Sequence, residues 1–271
     1  MAEPTVVVDN LHVVYRVYGA GGNRGTAATA LLRIIGRKTR PTIREVHAIR
    51  GLSFVANRGD AIGIIGRNGS GKSTLLRAIA GLLPPERGAV YTTCEASLLG
   101  VNAALLEDLT GERNVVLGCL AMGMTKKEIK EKYAEIVDFS GVGEFINLPM
   151  KTYSSGMGSR LRFAIAAAKS HEVLLIDEAL ATGDAEFRVK SHARIDELRA
   201  QAGTVFLVAH DLEEVEDTCN RVIWLERGKI MAQGDDVIGI IDAYIEATGG
   251  EPVTRDPVTR KRISAPEPAR T

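Results

Sequence analysis

The chain has 271 residues, 45% of them hydrophobic, with 34 Lys and Arg balanced by 34 Asp and Glu. That length allows one large buried core or two modest ones, and the zero formal net charge excludes the chain-wide basic field of a general nucleic-acid binder. Three scattered cysteines, Cys94, Cys119 and Cys219, have no CxxC spacing, which argues against a disulfide framework or zinc site and for a reducing compartment.

The opening MAEPTVVVDN lacks a basic start followed by an apolar run, so no secretory signal is read. No stretch approaches the roughly eighteen uninterrupted apolar residues of a membrane span, and the expectation is a soluble cytoplasmic protein. TVVVDNLHVVYRVY (5–18) is rich in β-branched and aromatic residues and predicts a strand. Residues 19–45 interrupt it. After a Gly-rich opening, Ala28, Leu31, Leu32 and Ile35 fall at helical spacing beside Arg33 and Arg37, which predicts a short amphipathic helix ending near Gly36. From Arg16 to Arg50 there are eight Arg or Lys and a single acid, Glu45. This reads either as a solvated stretch or as a basic docking surface for a membrane or partner.

Strand signals resume over 48–66 around an NRGD turn, and a helix is expected from Lys72 to about Leu83, stopped by Pro84-Pro85. The region from about 100 to 170 is mainly helical, with TKKE (125–128) as a capping box. It is too long for a simple crossover and reads as an inserted subdomain. EVLLIDE and GTVFLVAHD have the short apolar runs of buried parallel strands. RVIWLERGKIMAQG (221–234) reads as a hairpin turning at Arg227-Gly228, and the Pro- and charge-rich tail from 249 to 271 is expected to be disordered. Strands alternating with helices after one Gly-rich loop predict an α/β fold with a mainly parallel sheet.

GRNGSGKS (66–73) fits GxxxxGK[ST] between an apolar strand and a helix pattern. In that setting Gly66, Gly69 and Gly71 let the backbone wrap phosphates, with Arg67, Asn68, Ser70 and Thr74 in the same nucleotide-binding stretch. Lys72 reaches the β and γ phosphates, and the Ser73 hydroxyl takes a Mg²⁺ position. Asp177, at the end of VLLID, is the expected second Mg²⁺ ligand. Glu178 follows as the base that polarises water. His210 closes VFLVAH at the tip of the next strand, where an imidazole can hydrogen-bond a γ-phosphate. TYSSGM (152–157) adds a second anion-binding helix start at Ser154, Ser155 and Gly156.

With GRNGSGKS, YSSGM, VLLIDE, the Gly-Asp at 183–184 and VAHD in that order, the sequence over roughly residues 5–246 resembles the ATP-binding domains of ABC transporters. The resemblance implies a P-loop NTPase core with an N-terminal antiparallel β-subdomain and an inserted helical subdomain. It implies ATP and Mg²⁺ as ligands and a head-to-tail homodimer, in which YSSGM covers the γ-phosphate held by the partner's P-loop. Asp184 becomes the D-loop aspartate, His210 the switch histidine, and polytopic permease subunits do the transport at the cytoplasmic face of the membrane. TYSSGM, IDEALATGDAEF and the basic insertion look like the Wzt-type ATPases of polysaccharide exporters, with teichoic acid and capsule exporters as close relatives. LLGVNAALLEDLTGERNV looks most like mycobacterial exporters of lipid-linked galactan.

Departures from the family pattern are visible. No glutamine precedes Gln201, so the usual magnesium-binding glutamine is missing, and the segment around Gly100 to Leu106 acts through Asn102 or a water. The adenine-stacking aromatic is replaced by His47, with Tyr15 as the alternative stacker. Met157 stands where the signature usually has an amide. The residues after 249 are too few for the C-terminal sugar-binding sandwich of some relatives, so the chain is not expected to read the polymer's end. A GTPase switch is disfavoured by the lack of an NKxD motif, and a DNA-repair or translation ATPase by the lack of coiled-coil arms or a tandem domain. An importer ATPase is the nearest competitor.

Overall fold

The computed structural model describes residues 2–19, 42–99, 105–177, 185–209, 211–251 and 253–255. The sequence expectations for residues 26–37, for Asn102, Glu178, Asp184 and His210, and for the tail beyond 255 lie outside the described residues.

Strands β1 (Pro4–Gly19) and β2 (Thr42–Asn57) pair antiparallel, and β4 (Arg87–Thr92) completes a sheet in the order β2-β1-β4. Val6, Val8, Leu11 and Val13 of β1 are buried together with Ile49, Leu52, Phe54 and Ala56 of β2. The period of two is reset by an irregularity between Val8 and Leu11, as a bulge requires. The second sheet contains β3 (Ala61–Ile65), β5 (Ala96–Leu98), β6 (Val173–Asp177), β7 (Thr204–Val208), β8 (Arg221–Glu226) and β9 (Lys229–Gly234). Its order is β5-β6-β7-β3-β8-β9, parallel throughout except for the β8–β9 pair. β3, β6 and β7 are almost wholly buried because both faces of the sheet are covered.

Helix α1 (Lys72–Ile79) lies between the sheets. Its Leu75, Leu76 and Ile79 share one apolar cluster with Ile49 and Leu52 from the first sheet and Ile64, Leu175 and Phe206 from the second. Helices α2 (Gly111–Ala121), α3 (Lys126–Ser140) and α4 (Ser155–Ala166) form the helical subdomain around Val115, Cys119, Ile129, Ile136, Leu161 and Ile165. The far face of the parallel sheet packs on α5 (Ala185–Gln201), α6 (Leu212–Thr218) and α7 (Val237–Thr248) through Phe187, Val215 and Ile241. Phe139 of α3 and Phe163 of α4 each meet Phe187, with ring centroids 5.6 and 5.8 Å away, fastening the helical subdomain to the sheet.

The capping box is present, with Thr125 accepting from the Glu128 amide and Glu128 from the Thr125 amide. The β8–β9 hairpin turns at Arg227 and Gly228, both left-handed (φ 47° and 77°), as a two-residue type I′ turn needs. Three boundaries differ from expectation. β2 starts at Thr42, before the expected 48, because its early residues pair with the end of β1 down to Gly19↔Thr42. Helix α1 stops at Ile79 and does not run to Leu83. Gly81 (φ 71°) turns the chain so that its own amide bonds the Ala78 carbonyl and the Leu82 amide that of Arg77, a Schellman ending that acts before the prolines do. The start of the tail is anchored, since the Arg255 guanidinium donates to Glu216 of α6 at 2.9 Å and to Asp242 of α7 at 2.7 Å.

Candidate functional site

The loop between β3 and α1 runs out at the C-terminal edge of the parallel sheet, the edge where such folds bind ligands. Gly66 has φ 146°, and a Cβ there would stand 2.1 Å from the Leu225 carbonyl oxygen. Gly69 and Gly71 are also left-handed (φ 79° and 111°). The loop is strapped down by backbone bonds: the Gly228 amide donates to the Ser70 carbonyl, and the Arg50 amide to the Gly228 carbonyl, each at 2.8 Å. These bonds tie the P-loop to the β8–β9 hairpin and the hairpin to β2.

At the start of α1 no side chain caps the helix and no acid stands in its first turn, leaving backbone N–H groups and the positive dipole end open to an anion. The Ser70 hydroxyl is buried without a hydrogen-bond partner, a costly arrangement unless an acceptor or donor arrives. The Lys72 ammonium donates to the carbonyls of Gly66 (2.6 Å) and Arg67 (3.2 Å). Burial lowers its pKa below the ordinary lysine value, and the Asp177 carboxylate partly opposes that shift. An unneutralised loop, an orphaned hydroxyl and a desolvated cation together fit a phosphate chain.

One cleft is lined by Asn68, Gly69, Gly71, Lys72, Ser73, Thr74 and Asp177, and also by Tyr15 and His47. The Tyr15 hydroxyl lies 3.4 Å from the Thr74 hydroxyl, whereas His47 is exposed on β2 opposite Val14. Both proposed stackers thus flank the phosphate loop. Ser73 and Asp177 supply a hydroxyl and a carboxylate, the hard oxygen donors that suit Mg²⁺. Among the described residues no group of three or more His, Cys, Asp or Glu could hold a metal, so such an ion would share phosphate and water oxygens.

The Arg67 side chain donates to the Thr248 carbonyl at 3.3 Å, at the end of α7, and like Gly66 and Ser70 it is not among the residues lining the cleft. Two liners that the sequence reading did not include are Arg50 and Arg227. Each is brought there by strand order and the hairpin strap, for which no local sequence signal exists.

Ser154, Ser155 and Gly156 do not line this cleft. The Ser154 hydroxyl is the N-cap of α4 and accepts from the Met157 amide at 3.2 Å. Ser154 and Ser155 are exposed, and a Cβ on Gly156 would meet only the Ser154 hydroxyl, at 3.9 Å. Met157 packs on the helical subdomain's core.

A protein-family profile described as "ABC transporter" matches residues 49–181. The protein named "Teichoic acids export ATP-binding protein TagH" of Staphylococcus epidermidis is 37% identical over 244 residues, covering 89% of this chain and 89% of that one. Its namesake from Staphylococcus saprophyticus is 42% identical and covers 74% of this chain and 77% of that one. Other namesakes are longer: the match spans 58% of the Shouchella clausii protein, at 40% identity and covering 77% of this chain, and 36% of the Bacillus anthracis protein. A solved structure described as the dimeric post-hydrolysis state of the ATP-binding cassette MJ0796 bound to ADP and Pi shares the fold. Its TM-score is 0.62 at 21% identity, covering 85% of this chain and 98% of that one. No helix among the described residues is long and apolar enough to cross a membrane.

Proposed function

Because this chain belongs to the ABC transporter family of ATP-binding proteins, we propose that it binds and hydrolyses ATP to drive export of a lipid-linked cell-envelope polysaccharide. The observation that carries the reading is the cleft in which the open α1 start, Lys72, Ser73 and Asp177 converge. In this reading Lys72 leaves the Gly66 and Arg67 carbonyls for the β and γ phosphates. Ser73 and Asp177 hold a Mg²⁺ ion, which neutralises phosphate charge when bound. Glu178 orients a water and takes its proton as the water oxygen bonds to the γ-phosphorus. The bond from that phosphorus to the β–γ bridging oxygen breaks, giving ADP and inorganic phosphate. The family resemblance assigns His210 to the γ-phosphate, Asp184 to the subunit contact, and Tyr15 or His47 to the adenine.

The chain acts as a homodimer, with Ser154, Ser155 and Gly156 closing on the partner's γ-phosphate, and sits on polytopic permease subunits at the cytoplasmic face of the membrane. Galactan or an O-antigen-like polymer is one cargo class. The names of the relatives favour a second, teichoic acid. Purification of the tagged chain from membranes should bring a polytopic partner with it, and a chain that comes away alone argues against the transporter reading.

The chemistry is tested on the purified complex. Lys72→Ala should lose ATP binding, while Glu178→Gln should keep it and slow turnover by more than about tenfold, because only the base is removed. Near-normal hydrolysis in Glu178→Gln rejects that role.

A further inference from the structure

The outer face of the N-terminal sheet carries basic side chains to which the ATP reading gives no role. On β1, His12 stands opposite Arg50 of β2 on one side and opposite Arg87 of β4 on the other. Two guanidiniums thus flank an imidazole across three adjacent strands. Neighbouring strands lie about 4.8 Å apart, so the outer two are about 10 Å apart, a span that two arginine arms can close over one tetrahedral anion. Gathering cations on one sheet face opposes folding, and carboxylates usually offset it. The same depression holds two, Glu45 and Glu86, but both bind Arg16, at 3.2 and 2.7 Å.

Arg50 and Arg87 are exposed and have no ion-pair partner among the described residues. The Arg50 Nε donates only to the His47 carbonyl, at a long 3.4 Å. The pairing of β1 shifts register on both of its sides at His12, and a bulge re-aims the side chains beside it. His47 and Arg50 line both this depression and the ATP cleft, so the two share a wall.

We infer that Arg50, His12 and Arg87 form a site for a phosphate-type dianion, distinct from the P-loop and beside the His47 wall of the cleft. Planar guanidinium forks match tetrahedral oxyanions, two of them balance two charges, and the imidazole between, whose Nε2 meets the Asn10 Oδ1 at 3.2 Å, reports their occupancy. Free inorganic phosphate and the headgroup of an acidic phospholipid present the same chemistry.

The full-length chain carrying ¹³C-labelled histidine can be titrated with inorganic phosphate. Separately it can be mixed with vesicles of phosphatidylcholine, with or without phosphatidic acid. The His12 ring signal should shift and saturate. Arg87→Ser should weaken the response about tenfold, and Arg87→Lys should restore only part of it, because the ammonium keeps the charge but not the fork. A shift with phosphate assigns the free anion, and a shift only with phosphatidic acid vesicles assigns the headgroup. Silence toward both, or a response that Arg87→Ser leaves unchanged, overturns the inference. His12 and Arg87 lie outside the P-loop, so failure of the ATP reading does not silence this signal.

Discussion

Within the phosphate loop, Gly66 and Gly69 share a left-handed backbone but not an environment. A Cβ on Gly66 would stand 2.1 Å from the Leu225 carbonyl oxygen, whereas one on Gly69 would meet nothing within 4 Å. Gly69→Ala therefore adds only backbone strain, about 1–2 kcal/mol. Gly66→Ala adds that strain and an overlap with backbone in the buried β8 strand, a further ~1–3 kcal/mol. Urea denaturation of the two variants should separate them in that order. Equal losses would mean that the loop yields freely at Leu225. At this scale the sequence was informative where chemistry is local. The motif placed Lys72, Ser73 and Thr74 in the cleft, but it could not show that the Arg67 side chain turns to the Thr248 carbonyl.

Among the connections between elements, His171 joins α4 to β6 and is half-buried, with its Nε2 lacking a hydrogen-bond partner. Burial first, then the Lys169 charge, lowers its pKa below the ordinary 6.5, while the Ala166 backbone and Glu95 oppose the shift. The folded chain thus resists a proton that the unfolded chain accepts. This histidine costs nothing above pH 6.5, and stability is lost as pH falls below that value, until the folded pKa is passed. His171→Phe should flatten that part of the decline in urea midpoint against pH, compared with wild type. Parallel curves through the window would exclude His171 as the source. The sequence offered no sign of this, since a histidine's burial depends on what packs over it. The same holds for element ends. Gly81 stops α1 before Pro84, and β2 gains its early residues from pairing with β1. Periodicity and turn signals located the hairpin at Arg227 and the capping box at Thr125, where the causes lie within a few residues.

Across the whole molecule, the chain's own fold leaves the two helix starts that the sequence reads as anion sites unjoined. The α1 start opens into the cleft, while Ser154, Ser155 and Gly156 at the α4 start lie outside it. Both were legible as motifs, yet how they combine depends on assembly, which sequence order within one chain does not encode. Under the shared-site proposal, Lys72→Ala disables a chain's own cradle, and Gly156→Asp sets a carboxylate against the partner's γ-phosphate. The aspartate should not disturb the isolated chain, because a Cβ there has only the Ser154 hydroxyl near it, at 3.9 Å, and an acid in a first turn favours the helix. Each homodimer of either variant then has two damaged sites. A mixed dimer has one site damaged twice and one intact, pairing the cradle of the Gly156→Asp chain with the signature of the Lys72→Ala chain. With Glu178→Gln added to stop turnover, purified mixed dimers should occlude about one ATP per dimer. Occlusion is the measurement of choice, since hydrolysis can require both sites. If mixed dimers hold no more nucleotide than either homodimer, Ser154 to Gly156 do not complete the partner's site.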